Sequence, residues 1–381
     1  MRKIIENNIS CLSGAVASAM TLFLFAGCSE WTEPESVKIN VPTLESQNPE
    51  LYAQYLQSLR DYRSSEHKVM VTKYDNKATA PVGQAEHLNA LPDSVDYVIL
   101  MNPDELSDAV VSEMSEIREE KGTMTLYTVS YDTIEDEYAA YLDEWNAAHV
   151  PEGGETGTPE GESETGEDTP SEPQEQPENF ADFLGDRTDR LLSLTDKYGY
   201  DGINVAYTGI FPGSLQDEAK SELLAHQTVF FDKIKAWQSS HTDKLMFFEG
   251  MPINILYDLS FLNDCRYIIV DAIDAVNKEE LTMNVYMTVT TGVPTDRMVI
   301  GVTTPSLTDP TDDRGLFSAT DASGEAVRAV SGAAEWVCEQ SGSFVRAGIC
   351  VENAQNDYYN ITKSYKYIRE AIQTMNPSPL D

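Results

Sequence analysis

The chain has 381 residues, 41% hydrophobic and 9% aromatic, enough for a core larger than one small domain needs, which excludes disorder throughout. Lys and Arg number 26 against 64 Asp and Glu, a formal charge of -38, and so acidic a surface repels a phosphate backbone, which excludes nucleic acid as a partner. The 5 His and 5 Cys show no Cys-x-x-Cys or paired-His spacing, and the acids show no Asp-x-Asp-x-Asp-Gly spacing, so no metal and no cofactor is implied.

At the N-terminus, Arg2 and Lys3 precede an apolar stretch from about Ala15 to Ala26, the pattern of an export signal over residues 1–27. The stretch is too short for a comfortable transmembrane helix. Leu24-Phe25-Ala26-Gly27-Cys28 resembles a bacterial lipobox, with Phe25 where Leu is usual, and implies acylation of Cys28. Each buried acyl methylene contributes about 0.8 kcal/mol, so several chains anchor a protein stably. Residues 28–48 form an acidic tether, in which Ser29-Glu30-Trp31-Thr32-Glu33-Pro34-Glu35 resembles those of surface-displayed Bacteroidetes lipoproteins. The expected location is the outer membrane, facing the cell exterior. Cys11 and Cys28 belong to the leader region, leaving Cys265, Cys338 and Cys350, an odd count that favours buried thiols; a Cys338 to Cys350 bridge is conceivable.

Residues 49–381 alternate β-branched runs with helical patterns. Strands are expected at Lys68 to Tyr74, Asp96 to Met101 and Thr123 to Ser130, with a helix from Pro103 to Glu120 between the last two. A short extra helix from about Glu135 to Ala147 follows. Residues 151–178 carry ten acids, no base and no large apolar side chain, so nothing offsets ordering entropy there and the segment is expected to be disordered. Next come a helix from Phe183 to Lys197, a strand from Gly202 to Tyr207, a helix from Leu215 to Gln238 and a strand from Lys244 to Phe248. A strand from Tyr267 to Asp271, a helix from Glu279 to Thr291 and a strand from Met298 to Thr303 follow. The chain closes with a helix from Glu325 to Gln340, a strand from Val345 to Val351 and a helix from Thr362 to Met375. Eight such strands, several apolar on both faces, predict an α/β (β/α)8 TIM barrel with an acidic insertion after the third strand. The first strand is followed by Tyr74-Asp75-Asn76-Lys77, without the Gly-rich turn of a doubly wound sheet.

The fourth strand reads Tyr198-Gly199-Tyr200-Asp201-Gly202-Ile203-Asn204-Val205-Ala206-Tyr207-Thr208. It resembles the fourth strand of glycoside hydrolase family 18, which carries Asp-Gly-x-Asp-x-Asp-x-Glu. Asp201 and Gly202 match, whereas Asn204, Ala206 and Thr208 replace the second Asp, the third Asp and the Glu. Strand alternation puts 204, 206 and 208 on one side, toward the barrel mouth. The resemblance implies that the Glu donates a proton to the glycosidic oxygen while the preceding Asp orients the substrate's acetamido group. Thr208 and Ala206 supply neither function. The tether, this strand and Val351-Glu-Asn-Ala-Gln-Asn-Asp-Tyr-Tyr359 together resemble family 18 lipoproteins of gut Bacteroidetes encoded beside glycan importers. That group includes both endo-β-N-acetylglucosaminidases and non-catalytic glycan binders.

The expectation is a non-catalytic surface lipoprotein that binds N-acetylglucosamine-containing, N-glycan-type oligosaccharides for an uptake system. No residue is assigned to catalysis. Amides, hydroxyls and aromatic faces suit pyranose recognition, and Asn102, Tyr131, Asn204, Thr208, Glu249, Asp271, Asn353, Asn356 and Tyr358 are the expected contacts. One alternative is an active endo-β-N-acetylglucosaminidase using a displaced carboxylate, Glu249 or Asp271. Another is a structural or adaptor subunit with an empty cleft. Trp31, Trp237 and Trp336 are expected to be spacers or packing residues, and Trp145, with Tyr138 and Tyr141, to lip the cleft or face the core.

Overall fold

The computed structural model describes residues 44–76, 80–149, 176–340 and 342–377. The export signal, Cys28, the tether as far as residue 43 and the insertion from 151 to 175 lie outside the described residues. The chain divides into Met1–Gln54 and Tyr55–Asp381. In the first unit the described part is a helical turn, Leu44–Gln47, and the start of helix α1 (Pro49–Ser64), where Asn48 accepts a hydrogen bond from Leu51 N at 3.0 Å. The sequence reading contains no counterpart of α1.

The second unit is the expected barrel. Strands β1 (Val69–Tyr74), β2 (Tyr97–Leu100), β3 (Met124–Ser130) and β4 (Gly202–Tyr207) belong to it, as do β5 (Leu245–Gly250), β6 (Tyr267–Asp271), β7 (Met298–Thr303) and β10 (Arg346–Glu352). All eight pair in parallel in the closed order β1-β10-β7-β6-β5-β4-β3-β2. A small antiparallel hairpin, β8 (Leu316–Thr320) and β9 (Ala326–Arg328), stands apart from it. The expected helix from Glu325 therefore starts later, as α8 (Ala329–Cys338), because residues 326–328 are extended in the hairpin.

Strand alternation sorts the core into two shells. Val69, Val71, Ile99, Leu126, Phe247, Ile269, Val299 and Cys350 fill the barrel interior, with Tyr97 and Tyr267 packed edge-on to Phe247 at 5.0 and 5.3 Å. The alternate residues, such as Val98, Val205, Phe248 and Ile300, face the helices. Truncating a buried ring such as Phe247 to Ala typically costs about 3–5 kcal/mol. Gly202 belongs to this packing: a Cβ there would sit 2.2 Å from the Leu245 carbonyl oxygen, so β4 and β5 approach only because the residue is glycine.

The outer helices are α2 (Asp108–Lys121), α3 (Tyr131–Ala148), α4 (Phe180–Leu192), α5 (Leu194–Tyr198), α6 (Asp217–Ser240), α7 (Lys278–Thr288), α8 and α9 (Lys366–Met375). Helix α2 begins five residues later than expected because Ser107 caps it and Glu105 takes a left-handed φ of 57°. The expected single helix after the insertion is two, divided at Ser193. Tyr138 and Tyr141 pack on Phe180 and Phe183, Trp145 stacks on His149 at 4.1 Å, and Trp237 and Trp336 are buried. The three cysteines are free; Cys265 and Cys350 are buried but Cys338 is exposed. The expectation of buried thiols fails at Cys338, whose Sγ lies 3.4 Å from the Thr374 carbonyl oxygen.

Candidate functional site

Continuing each interior row one or two steps along the chain brings polar residues to the C-terminal end of the barrel, where (β/α)8 folds carry their sites. Val69 and Val71 lead to Lys73, Leu126 to Thr128 and Ser130, and Phe247 to Glu249. Ile269 leads to Asp271 and Cys350 to Glu352. On β4 the row is Asn204, Ala206 and then Thr208, with Ala206 registered opposite Ser130 on one side and Glu249 on the other.

Lys73 organises this mouth. Its Nζ donates to Glu249 Oε1 at 2.5 Å and to Glu352 Oε2 at 3.2 Å, with the three side chains 15%, 14% and 25% exposed. Burial pulls the ammonium's pKa down, but the two carboxylates outweigh it and hold the pKa above the usual lysine range. The other Glu249 oxygen accepts from Asn204 Nδ2 at 2.7 Å, and the same amide donates to Thr128 Oγ1 at 3.3 Å. Asn204 Oδ1 is buried without a partner. Asp271 stands exposed at the end of β6, but the protein packed around its carboxyl partly desolvates it and raises its pKa, and Glu249 and Glu352 add to the rise, against a hydrogen bond from Ile273 N and the pull of Lys73. Asp271 and Thr208 border one cavity of about 380 Å³.

The turn after β4 is fixed from outside the strand. Thr208 N and Gly209 N each donate to the Asp132 carboxylate at 2.7 Å, while the Thr208 carbonyl accepts from Asn254 Nδ2 at 2.7 Å. Gly209 sits at φ 49°, where a Cβ would strike the Tyr207 ring, so the turn needs glycine. Beyond it, Ile210 and Phe211 are 56% and 54% exposed. At the opposite end of the strand, Asp201 accepts from Thr125 N at 2.8 Å and from Arg118 Nε at 2.6 Å. That motif aspartate staples the barrel's closed end.

The profile of glycoside hydrolase family 18, BT1044-like, matches residues 32–374. The chain belongs to that family. Among solved structures, a selenomethionine BT1044 with a Glu-to-Gln substitution is similar at 17% identity and TM-score 0.57, covering 88% of this chain and 96% of that one. An endo-β-N-acetylglucosaminidase from Cordyceps militaris is similar at 15% identity and TM-score 0.51, covering 85% and 96%. At these identities the likeness is one of fold. No curated protein matches the chain.

Against this family 18 barrel, the sequence-selected residues fall into four places. Asn204 and Glu249 meet in the floor, but Asn204 is fully buried and braces Glu249 beneath the surface. Thr208 and Asp271 face a common cavity. Asn353, at a left-handed φ of 54°, and Asn356 border a cavity of about 450 Å³ beside Glu352. Asn102 follows β2, its Nδ2 donating at 3.1 Å to Oδ1 of Asp75, which borders that same cavity.

Two aromatic choices land elsewhere. Tyr131 is 2% exposed and faces Tyr207, Phe230 and Phe180, because the β3-to-α3 junction turns its ring outward into the helical layer. Tyr358 is half-buried against Tyr359, Tyr365 and the core. Sequence reasoning also missed Lys73, Asp132 and Phe211. Lys73 was detectable as the inward continuation of Val69 and Val71, and Phe211 as an apolar residue directly after the motif strand; Asp132 carried no such signal. Among the described residues, no group of three His, Cys, Asp or Glu side chains is placed to hold a metal.

Proposed function

We propose that the barrel mouth binds N-acetylglucosamine-containing glycans of the N-glycan type without cleaving them. One observation carries this reading: both glutamates at the mouth engage the Lys73 ammonium, while β4 presents the methyl of Ala206 and the hydroxyl of Thr208. A glutamate whose oxygen is held on a lysine ammonium is poorly placed to reach a glycosidic oxygen, and a threonine hydroxyl does not protonate a leaving oxygen at neutral pH. Beside Asp271, the mouth offers amides and hydroxyls, and the exposed Phe211 ring follows β4; these suit the equatorial hydroxyls and C–H faces of pyranoses. Calorimetric titration with chitobiose, beside mass spectrometry of the sugar after incubation, tests the reading. Binding without new products supports it, and no binding by folded protein refutes it.

A second reading is favoured by Asp271, whose raised pKa and shared cavity with Thr208 suit a proton donor. On that reading the protein is an endo-β-N-acetylglucosaminidase, and Asp271→Asn abolishes the turnover while Glu249→Gln leaves part of it.

The lipobox-like segment ending at Cys28 supports outer-membrane anchoring with the barrel facing outward, where it would deliver glycans to a neighbouring importer. Labelled palmitate incorporation that disappears in Cys28→Ala, with release of the protein from the membrane, is the expected result. Equal membrane retention of that variant would refute the anchor.

A further inference from the structure

Acids outnumber bases 64 to 26 in this chain, yet three cations line one cleft of about 390 Å³. Lys363, Lys366 and Arg369 reach it from α9 and the segment just before that helix, Asp93 and Ser94 from the turn before β2, and Tyr55 from α1. Asp93 and Ser94 stand at the N-terminal end of the strands, so the cleft borders the end of the barrel opposite the mouth.

The cations here are available, whereas one of the two acids is already engaged. Among the described residues, none of the three cations is paired with a carboxylate. Lys366 Nζ stands 5.1 Å from the centre of the Tyr367 ring, and Arg369 donates its Nε to the Ser364 carbonyl at 3.1 Å, which leaves its terminal N–H groups for a ligand. Asp93 accepts from the Tyr55 hydroxyl and pairs with Lys121 at 2.8 Å. Glu370 is the other acid of the cleft, and it is exposed. Arg63, which donates to the Asp93 carbonyl, is matched by Asp96. Lys363, Lys366, Arg369 and Lys121 against Asp93 and Glu370 therefore leave two positive charges. Salt screens a charge beyond about 8 Å at physiological ionic strength, so a ligand in the cleft meets this local balance more than the chain's net -38.

We infer that this cleft seats the phosphate of an anionic lipid headgroup in the membrane that holds the Cys28 anchor. The inference rests on the anchor reading above and adds which face of the barrel meets the bilayer. Two observations select a membrane lipid over a free anion. The barrel unit begins at Tyr55, which itself lines the cleft, so the acylated segment joins the barrel there. The cleft also lies away from the mouth, so a barrel seated on it leaves the mouth open to a glycan. Each Lys or Arg near an anionic surface strengthens attachment about fivefold.

Vesicle flotation of the mature chain, residues 28–381, carrying Cys28→Ala tests the cleft without the acyl anchor. Vesicles of phosphatidylcholine with added phosphatidylglycerol should bind it at least tenfold better than phosphatidylcholine alone. Lys363→Glu combined with Lys366→Glu should remove that gain and leave the melting temperature within a degree or two. Equal flotation on the two vesicles, or a gain that survives the double variant, overturns the inference. Calorimetry in which inorganic phosphate binds more tightly than dihexanoyl phosphatidylglycerol would mark a free-phosphate site and overturn the lipid assignment. Palmitate labelling of the wild type reads the anchor separately. If flotation holds and labelling fails, the cleft stands and the anchor falls; if labelling holds and flotation fails, the anchor stands and the cleft falls.

Discussion

Replacing Lys73 with Met removes the cation between Glu249 and Glu352 while keeping most of the side-chain volume. At 3.2 Å, the longer of its two contacts, a unit charge pair interacts by about 5 kcal/mol at an effective dielectric constant of about 20. Loss of one partner from a buried pair costs about 3–5 kcal/mol, because the other charge is left desolvated. The Glu352 carboxylate is 25% exposed and regains some water, so the expected loss at pH 7.5 is about 3 kcal/mol. Urea unfolding of the variant beside wild type at pH 7.5 measures the deficit. A variant within 0.5 kcal/mol of wild type at pH 7.5 would refute the view that Lys73 offsets the desolvation of the two glutamates.

Three further outcomes follow from the same geometry. Asp357 is 6% exposed, and burial raises its pKa from 3.8 to about 6 despite backbone hydrogen bonds from Ile368 and Tyr367. Such a carboxyl favours the fold while protonated, so wild-type stability should fall by about 3 kcal/mol relative to Asp357→Asn as pH rises from about 4 to 7; parallel denaturation profiles would contradict this. Asp132→Ala removes both acceptors of the turn after β4 and should lower stability by about 2–3 kcal/mol, measured by thermal unfolding, with Asp132→Asn losing less. Phe211→Ala should leave the melting temperature within a degree or two but weaken chitobiose binding about threefold to tenfold, and unchanged affinity would remove Phe211 from the site.

The barrel was legible because its strands are apolar on both faces. Runs such as Tyr267-Ile-Ile-Val270 and Met298-Val-Ile-Gly-Val302 admit few other readings, and all eight strands fall within two residues of their expected bounds. The β8–β9 hairpin was not legible, since Phe317 is its one buried residue and the rest carries no alternating pattern. At the site, period-two alternation correctly sent Asn204, Glu249 and Asp271 inward, but alternation does not say how deep a residue lies, and Asn204 proves to be floor. The pairing of Lys73 with Glu249 joins strands 176 residues apart, and no local spacing encodes such a contact. Tyr131 was misplaced for a related reason. It stands one residue beyond the last inward residue of β3, Ser130, and a single step along a strand reverses the face.

Native mass spectrometry of the purified protein after prolonged incubation with a mannose-extended chitobiose glycan reads retention and cleavage in one spectrum. The account predicts a complex at the summed mass of protein and intact glycan, with no fragment from the N-acetylglucosamine linkage. Fragments that accumulate with time and disappear in Asp271→Asn would contradict it.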